Sequence, residues 1–132
     1  MSGRRLPASQ RRNFHRLEIL LPVSFKLLSE QAARGNHSRP DLGSSINLSL
    51  GGLLLGSGRE IPAKSRVFCT FKLWPQEAEI WIEAIALDSQ AQPEGAIFKW
   101  LTHLRFDHLP KEVEQALGRF MAQKQKELRR RP

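Results

Sequence analysis

Two short stretches of the chain bring together side chains that could do chemistry. The first is RRNFHR, where Arg11, Arg12 and Arg16 fall close together and Arg12 and Arg16 give an RxxxR spacing. A guanidinium is always charged and presents a planar fork of donors. That fork suits phosphate oxygens, and the same plane stacks on a purine or bonds its Hoogsteen edge. Three of them on one short segment suit a small dianion. The plain alternative is a solvated basic tail. The second stretch is Asn47-Leu48-Ser49-Leu50-Gly51-Gly52, an NxSxxG. Along a strand Asn47 and Ser49 share a face, amide beside hydroxyl, while Leu48 and Leu50 turn to the core. Gly52 lets the chain bend or lets a ligand approach the backbone closely. The plain alternative is a strand with outward polar residues and a bulge glycine.

Other chemistries lack the residues they need. His15, His37, His103 and His108 show no HxH or HxxxH ligand spacing, although His103 and His108 lie near Asp107. They read as surface or loop histidines. No GxSxG and no phosphate loop occurs; Gly51-Gly52 and Gly56-x-Gly58 lack the lysine and the strand-to-helix context. Cys69 is the single cysteine, so neither a disulfide framework nor a cysteine zinc site is expected. It alternates with apolar neighbours and reads as an inert buried thiol. No catalysis, metal or cofactor is expected.

Strands must position these groups. Residues 1–16 read as a flexible basic arm carrying the RxxxR. Residues 17–28 look like a strand, with Pro22 marking an edge or a bulge. Residues 29–43 form a polar loop. Residues 44–55 read as two short strands around Gly51-Gly52. In residues 66–74, Val67, Cys69, Phe71 and Leu73 share one face and Phe68, Thr70, Lys72 and Trp74 the other. Residues 79–88 place Ile80, Ile82, Ala84 and Ala86 on one side, residues 89–95 turn, and residues 96–106 make a last strand. The period then changes. Pro110 suits the first turn of a helix, and Val113, Leu117, Phe120, Met121 and Leu128 recur at helical spacing. Short strands with Gly/Pro turns, closed by one amphipathic helix, predict a mainly β chain forming a small barrel.

At 132 residues, 40% apolar and 26% charged, the chain is one ordinary globular domain. No apolar run approaches the roughly 18 residues of a membrane helix, and no secretory signal opens the chain, so a cytoplasmic protein without membrane insertion is expected. The net charge of +8 is unevenly placed. Residues 1–16 hold five arginines and no acid, and residues 123–132 hold five basic residues against Glu127, leaving residues 17–122 close to neutral. The last segment reads as a basic tail, helical or disordered. A nucleic-acid binder more often spreads positive charge over a folded face. Basic ends on a neutral barrel point instead to a small anionic partner met by the N-terminal arm.

The two motifs together, RRxxxR about thirty residues ahead of NxSxxG in a basic β-rich domain, resemble the PilZ family. The resemblance runs from Arg11 to about Met121. It takes in the Gly-Leu-Leu-Leu that begins at Gly52 and the RFDHL that begins at Arg105. It implies a six-stranded antiparallel β-barrel with a C-terminal helix that binds the bacterial second messenger cyclic di-GMP. By the resemblance, Arg12 and Arg16 contact phosphate and guanine, and Asn47, Ser49 and Gly52 serve from the barrel surface. Arg11, a further guanidinium beside them, implies an intercalated pair of ligands. The arm would fold over the ligand and signal to a downstream protein partner.

The chain departs from the family pattern in two places. His103 and Leu104 stand where the last strand often carries a glycine, and Leu87 stands where an aromatic is frequent. Two other readings of the residues stay open. One is a small barrel binding nucleic acid, with Trp74, Trp81 and Trp100 as stacking platforms. The other is a PilZ-like adaptor that acts through a protein partner alone.

Overall fold

The computed structural model describes residues 16–30 and 39–129. Seven strands and a helix follow one another: β1 Leu17–Glu18, β2 Pro22–Leu27, β3 Asp41–Leu48, β4 Gly52–Ser57, β5 Arg66–Phe71, β6 Ile80–Ala91, β7 Trp100–Phe106 and α1 Lys111–Arg129. All pairings are antiparallel, in the order β1-β3-β2-β5-β6-β7-β4, and a β3–β4 pairing closes the ring. The result is a closed barrel of six strands, β2 to β7, with β1 as an addition on β3. Closure removes the exposed edges that would otherwise recruit other chains.

The alternation in the sequence sets the inside. Val67, Cys69 and Phe71 of β5, Ile82, Ala84 and Ala86 of β6, and Leu104 and Phe106 of β7 are buried together with Val23, Phe25, Leu48 and Leu55. α1 lays Leu117, Phe120 and Met121 on this core, and Phe120 meets the Trp74 ring edge-on at 5.3 Å. Glu112 and Glu114 in its first turn and Lys126 and Arg129 in its last complement the helix dipole. Trp81 departs from the other tryptophans: it sits on the outer face of β6 and is 67% exposed.

The segment 17–28 is not one strand. β1 and β2 both lie along β3, Leu17 opposite Leu48 and Pro22 opposite Ser44, with an interruption between them. Pro22 has no N–H to give a ladder. The buried Ser45 fills the gap: its hydroxyl donates to the Ile19 carbonyl and accepts from the Leu21 N–H at 2.9 Å. The other end of the barrel differs from expectation too. β6 runs on to Ala91 because the Ser89 hydroxyl holds Thr102 at 2.6 Å and the Ile61 backbone. β7 starts only at Trp100, because Phe98 leaves the ladder and lays its ring over Gly56, where a Cβ would sit 2.5 Å from the ring.

Two bulges break the inside–outside alternation. One falls between Ser45 and Asn47 of β3, the other between Ala86 and Asp88 of β6. A bulge sets two residues against one and shifts the phase of every side chain beyond it. Ser45 and Leu48 therefore both point inward although three positions apart, and so do Ala86 and the Thr102-bonded Ser89. The residues between them, Asn47 in β3 and Leu87 and Asp88 in β6, are left outside.

Candidate functional site

The two bulges open on one mouth of the barrel. Pairing of Glu18 with Asn47 and of Leu17 with Leu48 brings Arg16 to the Ser49 end of β3. Arg16, Asn47, Ser49 and Gly52 then line a hollow of about 170 Å3, with Leu87 from β6 and His103 and Arg105 from β7 across from them. Arg16 and Asn47 also line a second hollow, of about 440 Å3, whose far wall is Gln125 and Leu128 of α1 and which includes Glu18. The structure thus brings together Arg16, Asn47, Ser49 and Gly52. Arg11 and Arg12 lie outside the described residues.

Each of the four has a distinct state. Arg16 is exposed and makes no ion pair among the described residues. Asn47 is half-buried, and its amide has no hydrogen-bond partner among them. Ser49 is fully engaged. Its hydroxyl accepts from the N–H groups of Gly51 and Gly52, both at 3.2 Å, and donates to the Gly52 carbonyl at 3.2 Å. A hydroxyl has one proton and two lone pairs, so Ser49 closes the β3–β4 turn and reaches a ligand only by exchanging one of these bonds. Gly52 is glycine because of β7: a Cβ there would stand 2.0 Å from the Leu104 carbonyl oxygen. The close approach that a glycine allows here is that of a neighbouring strand.

His103 and Arg105 are neighbours that the sequence reading did not place here. Thr102, Leu104 and Phe106 face the core, so His103 and Arg105 face out, opposite Leu54 and Gly52 of β4. Their alternation was readable; the β4–β7 pairing that carries them to NxSxxG was not. The β6 bulge sets Asp88 opposite His103, and the carboxylate holds the imidazole Nδ1 at 2.7 Å. Arg105 has no carboxylate within ion-pair distance among the described residues. Among the described residues the mouth therefore presents two guanidinium groups without an ion pair, one carboxylate-held imidazole and an amide without a hydrogen-bond partner.

The other features of the described residues do different work. A further hollow, of about 600 Å3, lies across β2, β5 and β6 by Phe68, Thr70 and Trp81, with none of Arg16, Asn47, Ser49 or Gly52 in its lining and with Lys26 as its one cation among the described residues. The arginine-bearing mouth is where the polar and charged groups of NxSxxG, Arg16, His103 and Arg105 gather. No group of three or more His, Cys, Asp or Glu side chains is placed to hold a metal ion among the described residues. Burial pushes the Cys69 thiol up to about 12, so it stays protonated and inert at neutral pH.

A family model for the PilZ domain matches residues 10–123, a span that includes both motifs. The chain belongs to the PilZ domain family. Solved structures agree on the fold. The Bacillus subtilis inhibitor of motility MotI/DgrA superposes with a TM-score of 0.67 at 20% identity, over 93% of this chain and 54% of that one. This PilZ domain thus spans about half the length of that protein. The PilZ domain of YcgR from Escherichia coli, solved with c-di-GMP, gives 0.67 at 18% identity over 91% and 95% of the two chains. A tetrameric PilZ domain from Xanthomonas campestris gives 0.65 at 15% identity over 88% and 90%. No curated protein matches the sequence at a significant level.

Proposed function

We propose that this PilZ domain is a cyclic di-GMP receptor. Arg12 and Arg16 take the phosphates and a guanine edge, and Asn47, Ser49 and Gly52 complete the site from the β3–β4 turn. The carrying observation is the meeting of Arg16 with Asn47 and Ser49 at one mouth, all three with uncommitted or exchangeable bonding capacity. The c-di-GMP held by the related YcgR domain supports the choice of ligand. PilZ domains bind rather than catalyse, and the site's role is recognition.

Charge makes the ligand plausible on its own terms. A cyclic dinucleotide carries two phosphates and two purines. Charge-assisted hydrogen bonds to arginine contribute about 1.5–3 kcal/mol each, so a few of them outweigh the cost of ordering the arm and give micromolar or tighter binding. Arg11 adds a further planar cation, which favours an intercalated pair of ligands over one. Ordering of the arm over the ligand then changes what a downstream protein partner meets, in the cytoplasm. No helix among the described residues is long and apolar enough to cross a membrane.

Calorimetry of the full chain with cyclic di-GMP, against GTP and cyclic GMP, tests the reading. Micromolar or tighter binding of the cyclic dinucleotide alone is expected. No heat and no amide shift at hundredfold excess rejects it. A steep salt dependence on long oligonucleotides would instead favour the nucleic-acid barrel.

A further inference from the structure

The two hollows that share Arg16 and Asn47 are unequal: about 170 Å3 on the motif side and about 440 Å3 on the side of α1. Clefts for small organic ligands run to roughly 300–1,000 Å3. The motif side alone is smaller than such a cleft, and the adjoining room that Arg16 and Asn47 also line lies on the side of the helix.

The helix is prepared for this on one side only. Gln125 and Leu128 stand four and seven residues beyond Met121 and continue the stripe that Leu117 and Met121 begin. The barrel covers that stripe as far as Met121. Beyond it, Leu128 is 50% exposed and faces the hollow. Lys126 and Arg129 of the last turn are not among the described residues that line this hollow, where Arg16 is the one cation and Glu18 an anion. Phosphate therefore belongs at Arg16. The helix wall suits an uncharged planar group with a polar edge: an apolar face for Leu128, and donors and acceptors for the Gln125 amide, which has both.

We infer that Gln125 and Leu128 form a base subsite, holding one purine of the ligand against the last turns of α1. This rests on the cyclic di-GMP reading. It also makes the ligand a bridge from β3 to the helix end, so that occupancy stabilises residues 122–129.

The test is calorimetry with cyclic di-GMP and amide hydrogen exchange on the full chain, as wild type, Gln125→Ala, Leu128→Ala and the control Lys126→Ala. Both substituted side chains border the open hollow, so the fold is expected to persist, as thermal unfolding would verify. Loss of a neutral hydrogen bond or of one apolar contact weakens binding about three- to tenfold. That loss is expected for Gln125→Ala and Leu128→Ala, with Lys126→Ala within about twofold of wild type on the same scale. Ligand should slow exchange in residues 122–129 of the wild type and slow it less in Leu128→Ala. Wild-type binding with both variants unchanged and no slowing at the helix end overturns the base subsite alone. No binding by the wild type overturns the receptor reading, and the subsite with it.

Discussion

The arginines of the barrel wall and those of its mouth are treated differently. Arg59 is clamped between Glu30 and Asp41, at 2.7 and 3.2 Å, and ties the end of β2 to β3. Arg66 is held by Glu83 and by Asp107 at 2.8 Å, linking β5, β6 and the end of β7. At the mouth, Arg16 and Arg105 make no ion pair among the described residues, although the carboxylates of Glu18 and Asp88 are in the same neighbourhood and Asp107 feels Arg105 at longer range. Placing acids beside the first pair and withholding them from the second separates cations that hold strands from cations left for an anion to arrive.

The widest separation should come from arginine removal. Arg12→Ala or Arg16→Ala should each cost about 1.5–3 kcal/mol of cyclic di-GMP binding, roughly ten- to hundredfold, with the melting temperature unchanged. Arg59→Ala should do the reverse, leaving binding intact and lowering stability by about 1 kcal/mol or less, because its pairs are partly solvated. Calorimetry and thermal unfolding of the three variants read both quantities. If the mouth variants bind like wild type, the division between the two groups fails.

Stoichiometry sharpens the same contrast. Two intercalated dianions bring four negative charges together, and Arg11 offsets part of that repulsion. Wild type should saturate at two ligands per protomer and Arg11→Leu nearer to one. A wild-type titration that ends at one removes the role given to Arg11.

Ser49 should show a smaller effect on binding, about 0.5–1.5 kcal/mol for Ser49→Ala, as befits a neutral hydrogen bond. Unlike the arginines it should also lower stability, since its hydroxyl closes the β3–β4 turn. Loss of affinity with no change in melting would show that the turn does not depend on it.

The smallest effect belongs to the wall. Hydrogen bonding from Arg66 holds the Asp107 carboxyl below its ordinary value of 3.8. A depressed folded-state value gives stability that is present above the unfolded value and is lost as pH falls through the folded one. Stability should therefore decline below about pH 4 in part through this group, and Asp107→Asn should flatten that limb. Denaturant melts between pH 2 and 5 that superpose for the two proteins would remove Asp107 from the acid response.

Much of this architecture was legible because burial obeys periodicity. Val67, Cys69 and Phe71 announced β5, although the alternation read on to Leu73 beyond the strand's end at Phe71, and Leu117, Phe120 and Met121 announced the buried face of α1. The family resemblance supplied strand count and closure, which local pattern does not contain. What escaped were the features set by contacts between distant segments. Ser45 bridging Ile19 and Leu21, Phe98 lying over Gly56, and Asp88 holding His103 all depend on neighbours 15 to 42 positions away. For the site, Asn47 and Ser49 were readable as outward polar groups. That Ser49 spends its hydroxyl on the turn, and that Gly52 yields to β7, was not. His103 and Arg105 carried an outward alternation but nothing local that named β4 as their neighbour.

The bulges at Ile46 and Leu87 make the mouth a matter of counting as well as of residue type. Each works like a shift of reading frame: one added residue, and everything downstream presents its other face. Removing Ile46 would leave every letter of NxSxxG in place. It would also remove the bulge without turning Asn47, because Ser45 inward, Asn47 outward and Leu48 inward is already strict alternation; the bulge is what lets β3 carry one more residue and keep that facing. A relative with the same letters and the same count of residues in β3, but paired straight through without the bulge, would match the pattern and turn Asn47 toward the core. For this part of the chain, the way the strand pairs just upstream of a motif carries as much information as the motif.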